Sequence, residues 1–201
     1  MQTAHELFLH ELGDILNAEH NLVDALEEQA EAVTNEQLKT AITGHRAQTE
    51  KQVERLEQVF EDLGEEAEEA ECKGVKGLVE EWKTFKEEED PSDDILNVVT
   101  INAAAKVESY EINVYESLIQ MARDMEHSKA VKLLQQNLKE EQQTLKKMQG
   151  FARKIKPELS GMEEAEEDQD ESLAVGGESE EQGSVRSKRK KSTSRRGRKA
   201  A

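Results

Sequence analysis

Four stretches of roughly 30 residues place apolar side chains at steps of three and four with no proline inside, which commits most of the chain to long amphipathic helices. The stripes read Phe8, Leu12, Ile15, Leu22 and Leu26; Leu38, Ile42, Leu56, Val59 and Leu63; Ile101, Ala104, Val107, Tyr115 and Leu118; and Val131, Leu134, Leu138, Leu145 and Met148. Stop and start signals bound them. Thr3 with Glu6 makes a capping pair for a first helix to Val33, Asn35 caps a second that Gly64 ends after Leu63, Pro91-Ser92 restarts the chain for a third over Asp93 to Asp124, and a break at Glu126-His127 precedes a fourth over Ser128 to Ile155. With aromatics at 3% and only two prolines, little is left for a sheet. The expected fold class is all-α: an antiparallel four-helix bundle of two hairpins. Residues 65–90 are the long crossover, in which Val75, Leu78, Val79, Trp82 and Phe85 predict a short helix capping one end of the bundle.

Acids interrupt these stripes. Glu19 stands between Ile15 and Leu22, Glu108 and Glu111 fall in the stripe of the third helix, and Glu141 lies between Leu138 and Leu145. On the second helix His45, Thr49 and Gln52 take three consecutive inward positions. A buried, unpaired carboxylate costs several kcal/mol or takes up a proton, so each needs a hydrogen-bond donor, a cation or a metal. The plainer alternative rotates the helices until the acids reach solvent and leaves His45 as a satisfied core histidine. Hairpin geometry bears on the choice, because residues equally far from a turn lie side by side. Glu19 and Thr49 are equidistant from Thr34, and Glu111 and Glu141 are equidistant from Glu126. The inward polar residues thus converge on one mid-bundle layer, where ferritin-like carboxylate proteins hold two metal ions.

The segments AEHNLVDAL at 18–26, HRAQTEKQVERLEQVFEDLG at 45–64, VESYEINVYESL at 107–118 and LLQQNLKEEQQTLKKM at 133–148 resemble the YciE/YciF family of bacterial ferritin-like proteins, in order over about residues 3–152. The resemblance implies a ferritin-like bundle, a homodimer, a cytoplasmic location and a stress-associated role. Matched residue by residue, it places Glu19, Glu108, Glu111 and Glu141 at the metal-competent positions for iron or manganese, up to two ions, with His45 nearby as the nitrogen ligand. Glu50 and Glu140 flank the layer and would serve as ligands only by swinging inward, since each points about 100° from its inward neighbour and is expected to face solvent. Departures from the pattern are plain. Where Glu-x-x-His motifs belong, the chain has Thr49-x-x-Gln52 and Glu141-x-x-Thr144. A nearly all-oxygen site favours hard ions over soft ones, which puts oxidation of iron in question. Whether the chain is an enzyme stays open at this point.

The formal net charge of -18 argues against nucleic acid or anionic membrane binding by the helical part. No segment has the length and apolarity to span a membrane, and the N-terminus shows no secretory leader, so a cytoplasmic protein is expected. Cys72 is the only cysteine, which rules out an intrachain disulfide and a multi-thiolate site. After residues 1–156, assigned to the bundle, residues 157–201 lose all periodicity and are expected to be a disordered tail, acidic over 158–181 and basic over 186–199. The basic run of Arg186, Lys188, Arg189, Lys190, Lys191, Arg195, Arg196, Arg198 and Lys199 suits DNA or another anionic partner, by counterion release and without aromatics for stacking. Two function classes follow. One is a metal-binding ferritin-like stress protein with oxidoreductase activity; the other is a non-enzymatic scaffold whose basic tail binds DNA or an anionic partner.

Overall fold

The computed structural model describes residues 1–157, and all regular structure among them is helical. Five helices follow in order: α1 (Ala4–Ala32), α2 (Glu36–Leu63), α3 (Lys73–Glu88), α4 (Asp93–Asp124) and α5 (Ser128–Lys154). No described helix is long and apolar enough to cross a membrane. The acidic 158–181 and basic 186–199 segments lie outside the described residues.

The long helices start and stop where local chemistry dictates. Thr3 Oγ1 accepts the Glu6 amide at 3.1 Å while Glu6 accepts the Thr3 amide at 3.1 Å, so two orphan donors of α1 are satisfied reciprocally. Asn35 Oδ1 accepts from the amides of Gln37 and Leu38 at the start of α2, and Gly64 ends that helix at φ 77°, a left-handed conformation suited to glycine. At the α4–α5 turn the left-handed residue is Glu126, at φ 63°.

Helices α1 and α2 form one hairpin and α4 and α5 the other, with α1 against α4 and α2 against α5 across the bundle. This is the ferritin-like four-helix arrangement. Buried Asn97 of α4 ties the two hairpins together at one end: its Oδ1 accepts the Thr34 amide at 3.1 Å and its Nδ2 donates to Thr34 Oγ1 at 3.2 Å.

The crossover corrects one expectation, since α3 does not cap the end of the bundle. Along α3, Cys72 meets Asn17 and Lys83 meets Glu28, so it advances with α1. Cys72 also meets Tyr110, Trp82 meets Thr100 and Lys106 meets Glu81, so α3 runs antiparallel to α4. The helix lies lengthwise over the α1–α4 groove, where it buries Val75 and Trp82. An end-cap would leave that groove uncovered.

The crossover backbone lies close against α1 at Gly13, where an added Cβ would sit 2.4 Å from the Glu68 carbonyl oxygen and 3.1 Å from the Ala70 nitrogen. Alanine there gains helix propensity but must push backbone aside. We expect Gly13→Ala to destabilise the protein by about 1–3 kcal/mol, the usual cost of overpacking. A denaturant titration showing a gain in stability would contradict this packing.

Candidate metal centre

Helix rotation decides where the acids point, and the large apolar residues on either side of each decide the rotation. Ile15 and Leu22 around Glu19, and Ile101, Tyr115 and Leu118 around the α4 pair, are all in the core, so the acids between them are turned inward at the cost of their hydration. Glu19, Glu108, Glu111 and Glu141 are at most 1% exposed, and His45, Thr49, Gln52, Asn137 and Thr144 are buried with them. The polar layer inferred from turn distances is thus interior.

One ligand atom from each of His45, Glu108 and Glu141 lies within 4.8 Å of the other two. His45 Nδ1 is 3.4 Å from Glu108 Oε1, and His45 Nε2 is 3.7 Å from Glu141 Oε2. These two distances run to opposite nitrogens of the ring, only one of which can face a given ion. Bonds of about 2.1 Å set ligand atoms roughly 3–4 Å apart, so the trio, within 4.8 Å, would have to draw inward to hold one ion. Glu19 and Glu111 stand outside the trio but within range of its charge: Glu111 feels both Glu19 and Glu141, and Glu19 feels Glu141.

Hydrogen bonds satisfy only part of the layer. Gln52 donates its amide N–H to Glu141 Oε1, and Tyr115 donates its hydroxyl to Glu19 Oε1. Both oxygens of Glu108, both of Glu111, Oε2 of Glu141, Oε1 of Gln52, Oγ1 of Thr49 and Nδ1 of His45 have no hydrogen-bond partner. His45 is close to Glu108 without the alignment of a hydrogen bond. With every acid ionised, five carboxylate oxygens in one core lack a donor, far more than a native interior ordinarily tolerates. A proton held on Glu108 and given to Glu141 satisfies part of that set and leaves Glu111 with none.

Electrostatics follow the same division. Burial, reinforced by the charge of Glu141, pushes the Glu19 and Glu108 carboxyls well above the ordinary carboxylate value; burial and the charges of Glu19 and Glu141 do the same to Glu111. Burial also opposes ionisation of Glu141, but His45, Glu108 and Gln52 outweigh it and hold that carboxyl low. A raised carboxyl keeps its proton in the folded state after the unfolded chain has lost its own. Its contribution to stability therefore falls as pH rises from about 4.5 towards the folded value. Glu141 works the other way, stabilising above its unfolded value and losing that contribution on acidification. Three groups oppose one. Thermal melts of metal-free protein in chelator are expected to show a higher melting temperature near pH 5.5 than near pH 8.

Glu50, weighed as a flanking ligand and expected to face solvent, is exposed and lies 3.5 Å from Arg46 on the same helix face, about 100° around from Thr49. It is no part of the layer. Glu140 likewise turns outward and accepts both guanidinium nitrogens of Arg55, at 2.8 and 2.9 Å. His5 and His20 meet crossover acids Glu65 and Glu69 at the surface. The basic residues Arg186 to Lys199 fall outside the described residues. Sequence reading passed over Tyr115, taken as a stripe residue, together with Asn137 and Arg55. A signal was available, since Tyr115 and Asn137 are equidistant from Glu126.

Comparison with known proteins comes to the same fold. A family model described as Domain of unknown function (DUF892) matches residues 3–159. The chain is 36% identical over 145 residues to Protein YciF of Escherichia coli (strain K12), covering 72% of this chain and 87% of that protein. The crystal structure of the E. coli stress protein YciF superposes with a TM-score of 0.73 at 35% identity, over 77% of this chain and 98% of that one. YcfI from Rhodopseudomonas palustris gives a TM-score of 0.72 at 36% identity, over 74% and 94%. A protein of Xanthomonas campestris pv. campestris, at 16% identity and a TM-score of 0.61, shares the fold alone.

Proposed function

Because this chain belongs to the DUF892 family and is similar to the E. coli stress protein YciF, we propose that it is a stress-associated cytoplasmic protein whose bundle binds iron or manganese in the mid-bundle carboxylate layer. The observation behind this reading is the set of five buried carboxylate oxygens and one imidazole nitrogen without partners. Carboxylate oxygens with a single imidazole are a donor set for manganese or iron and a poor one for soft ions. His45, Glu108 and Glu141 would hold the first ion, with Glu19 and Glu111 available to a second. A bound ion of this kind supplies Lewis-acid and one-electron chemistry, which is the basis for oxidoreductase activity. Gln52 and Thr144, in the places of two histidines, leave the site poorer in nitrogen.

Elemental analysis of protein purified without an affinity tag, followed by anaerobic titration with iron(II) and with manganese(II), tests the reading. The expected result is one or two ions per chain and a metal-dependent rise in melting temperature. Protein that contains no iron, manganese or zinc and melts identically with and without added metal would refute it.

The net charge of -18 against a basic run at 186–199 supports a second, compatible role, in which that run binds DNA or another anionic partner. Any such affinity should vanish when 186–199 is deleted and fall steeply with salt. Homodimer formation belongs to the same proposal and is decided by sedimentation.

A further inference from the structure

Tyr115 and Glu19 are joined to the bundle surface by a chain of hydrogen bonds whose direction is fixed at every step. Arg55 and Glu140 form a two-pronged ion pair between α2 and α5, largely shielded from solvent. The same guanidinium lies 2.6 Å from Asn137 Oδ1. An arginine has only donors, so the Asn137 atom facing it must be the oxygen, and the amide nitrogen must face inward. There Asn137 Nδ2 is 3.0 Å from the Tyr115 hydroxyl oxygen and 3.4 Å from the Gln52 carbonyl oxygen. An amide N–H can only donate, so the phenol oxygen accepts it. The single phenolic proton is then left to point at Glu19 Oε1, which receives it wherever that oxygen carries no proton of its own, as is required when the acid binds a cation. Were the Asn137 amide reversed, its oxygen would compete with Glu19 for that proton.

We propose that Arg55 is a positioning residue: anchored by Glu140, it locks the Asn137 amide so that Tyr115 donates to Glu19 and fixes that carboxylate in the buried layer. This rests on the metal-binding reading for its consequence but not for its geometry. Asn137 touches both arms of the layer, Glu19 through Tyr115 and Glu141 through the backbone of Gln52, whose side chain donates to Glu141. Arg55 is thus coupled to two of the carboxylates without touching either. Partners one step removed from a metal ligand, as Tyr115 is from Glu19, typically alter affinity 10- to 100-fold when they are lost, and Arg55, two steps further out, belongs at the low end of that range.

The test uses the full chain in a Tyr110→Phe background, which leaves Tyr115 as the one tyrosine. Manganese(II) affinity by equilibrium dialysis and the near-ultraviolet tyrosine band of metal-free protein are read for Arg55→Met, Tyr115→Phe and the two combined. Arg55→Met is expected to weaken manganese about tenfold and to shift the tyrosine band, because the phenol loses its ordered donor. Tyr115→Phe should lose affinity to a similar degree. Adding Arg55→Met to Tyr115→Phe should cost clearly less than Arg55→Met costs alone, since the arm through the hydroxyl is already gone and only the Gln52 arm and the charge of Arg55 remain. Arg55→Lys keeps a cationic donor and should retain most of the affinity and the parental tyrosine band; it also serves where Arg55→Met fails to fold. An unchanged band and affinity within twofold of the parent in Arg55→Met would overturn the proposal, as would fully additive losses in the double variant. A parent that binds no manganese refutes the metal reading, and the tyrosine band then decides the positioning role by itself.

Discussion

Replacing Glu111 with glutamine is expected to erase the metal-dependent rise in melting temperature while leaving the metal-free protein at least as stable as the parent. Glu111 has two buried carboxylate oxygens without partners, and burial with the charges of Glu19 and Glu141 opposes its ionisation. Glutamine keeps the shape and removes the charge, so the metal-free layer loses a repulsion and little else. With metal present the balance reverses. An ion bound only to the folded state at a free concentration 100 times its dissociation constant adds about 2.7 kcal/mol, or roughly 5–10 °C for a domain of this size. Removing one carboxylate from the set should cut that affinity and with it the shift. Glu50→Gln is the matched control: Glu50 is exposed and paired with Arg46, so neither melting curve should move. The competing possibility is a protonated carboxylate cluster left from a site whose histidines have gone, in which parent and Glu111→Gln are equally indifferent to metal. Equal melting temperatures for parent and variant at saturating manganese would decide for that possibility.

The inward acids were legible because helical periodicity and turn distance are both properties of spacing. Glu19, Glu111 and Glu141 stand between large apolar residues that settle the rotation of their helices, and two turns at Thr34 and Glu126 set their levels. Gln52 was legible as an inward residue, but its donation to Glu141 was not, because spacing places a side chain without orienting its amide. Helix α3 shows a different limit. Its short apolar stripe says which face is buried but not against what, and the same stripe would serve an end-cap or a strap. One residue that bears on it lies elsewhere, at Gly13 of α1, where the missing Cβ admits the crossover backbone beside the helix. Glu50 and Thr49 differ by one position and by burial in the core, which shows how little error in helix phase a ligand assignment tolerates. Asn97, which binds the α1–α2 turn from α4, depends on a contact between residues far apart in sequence that no local pattern encodes.

Trp82→Ala is expected to release α3 from the bundle at a cost of about 3–5 kcal/mol, the usual range for truncating a buried tryptophan. Val75 and Trp82 are the buried residues of α3, with Leu78 and Val79 partly buried against the core, and Trp82 is the largest side chain among them. Its Nε1–H donates to Thr100 Oγ1 at 2.9 Å, and Thr100 in turn donates to the Leu96 carbonyl at 2.8 Å. Truncation therefore strands no buried donor, and the loss is chiefly of packing. The surface ion pairs Lys83–Glu28 and Lys106–Glu81 are mostly exposed and worth little by comparison. Because α3 packs chiefly on α4 and α1, the opening should be local. Hydrogen exchange should show residues 73–88 losing protection while α2 and α5 keep theirs, and metal affinity at the layer should be unchanged. Trp82→Phe retains most of the buried area and loses one hydrogen bond, so its cost should drop to about 1–2 kcal/mol with α3 still protected. If Trp82→Ala instead lowered protection evenly over all five helices, α3 would belong to the cooperative core of the bundle, and its description as a strap laid over a self-sufficient four-helix unit would fail.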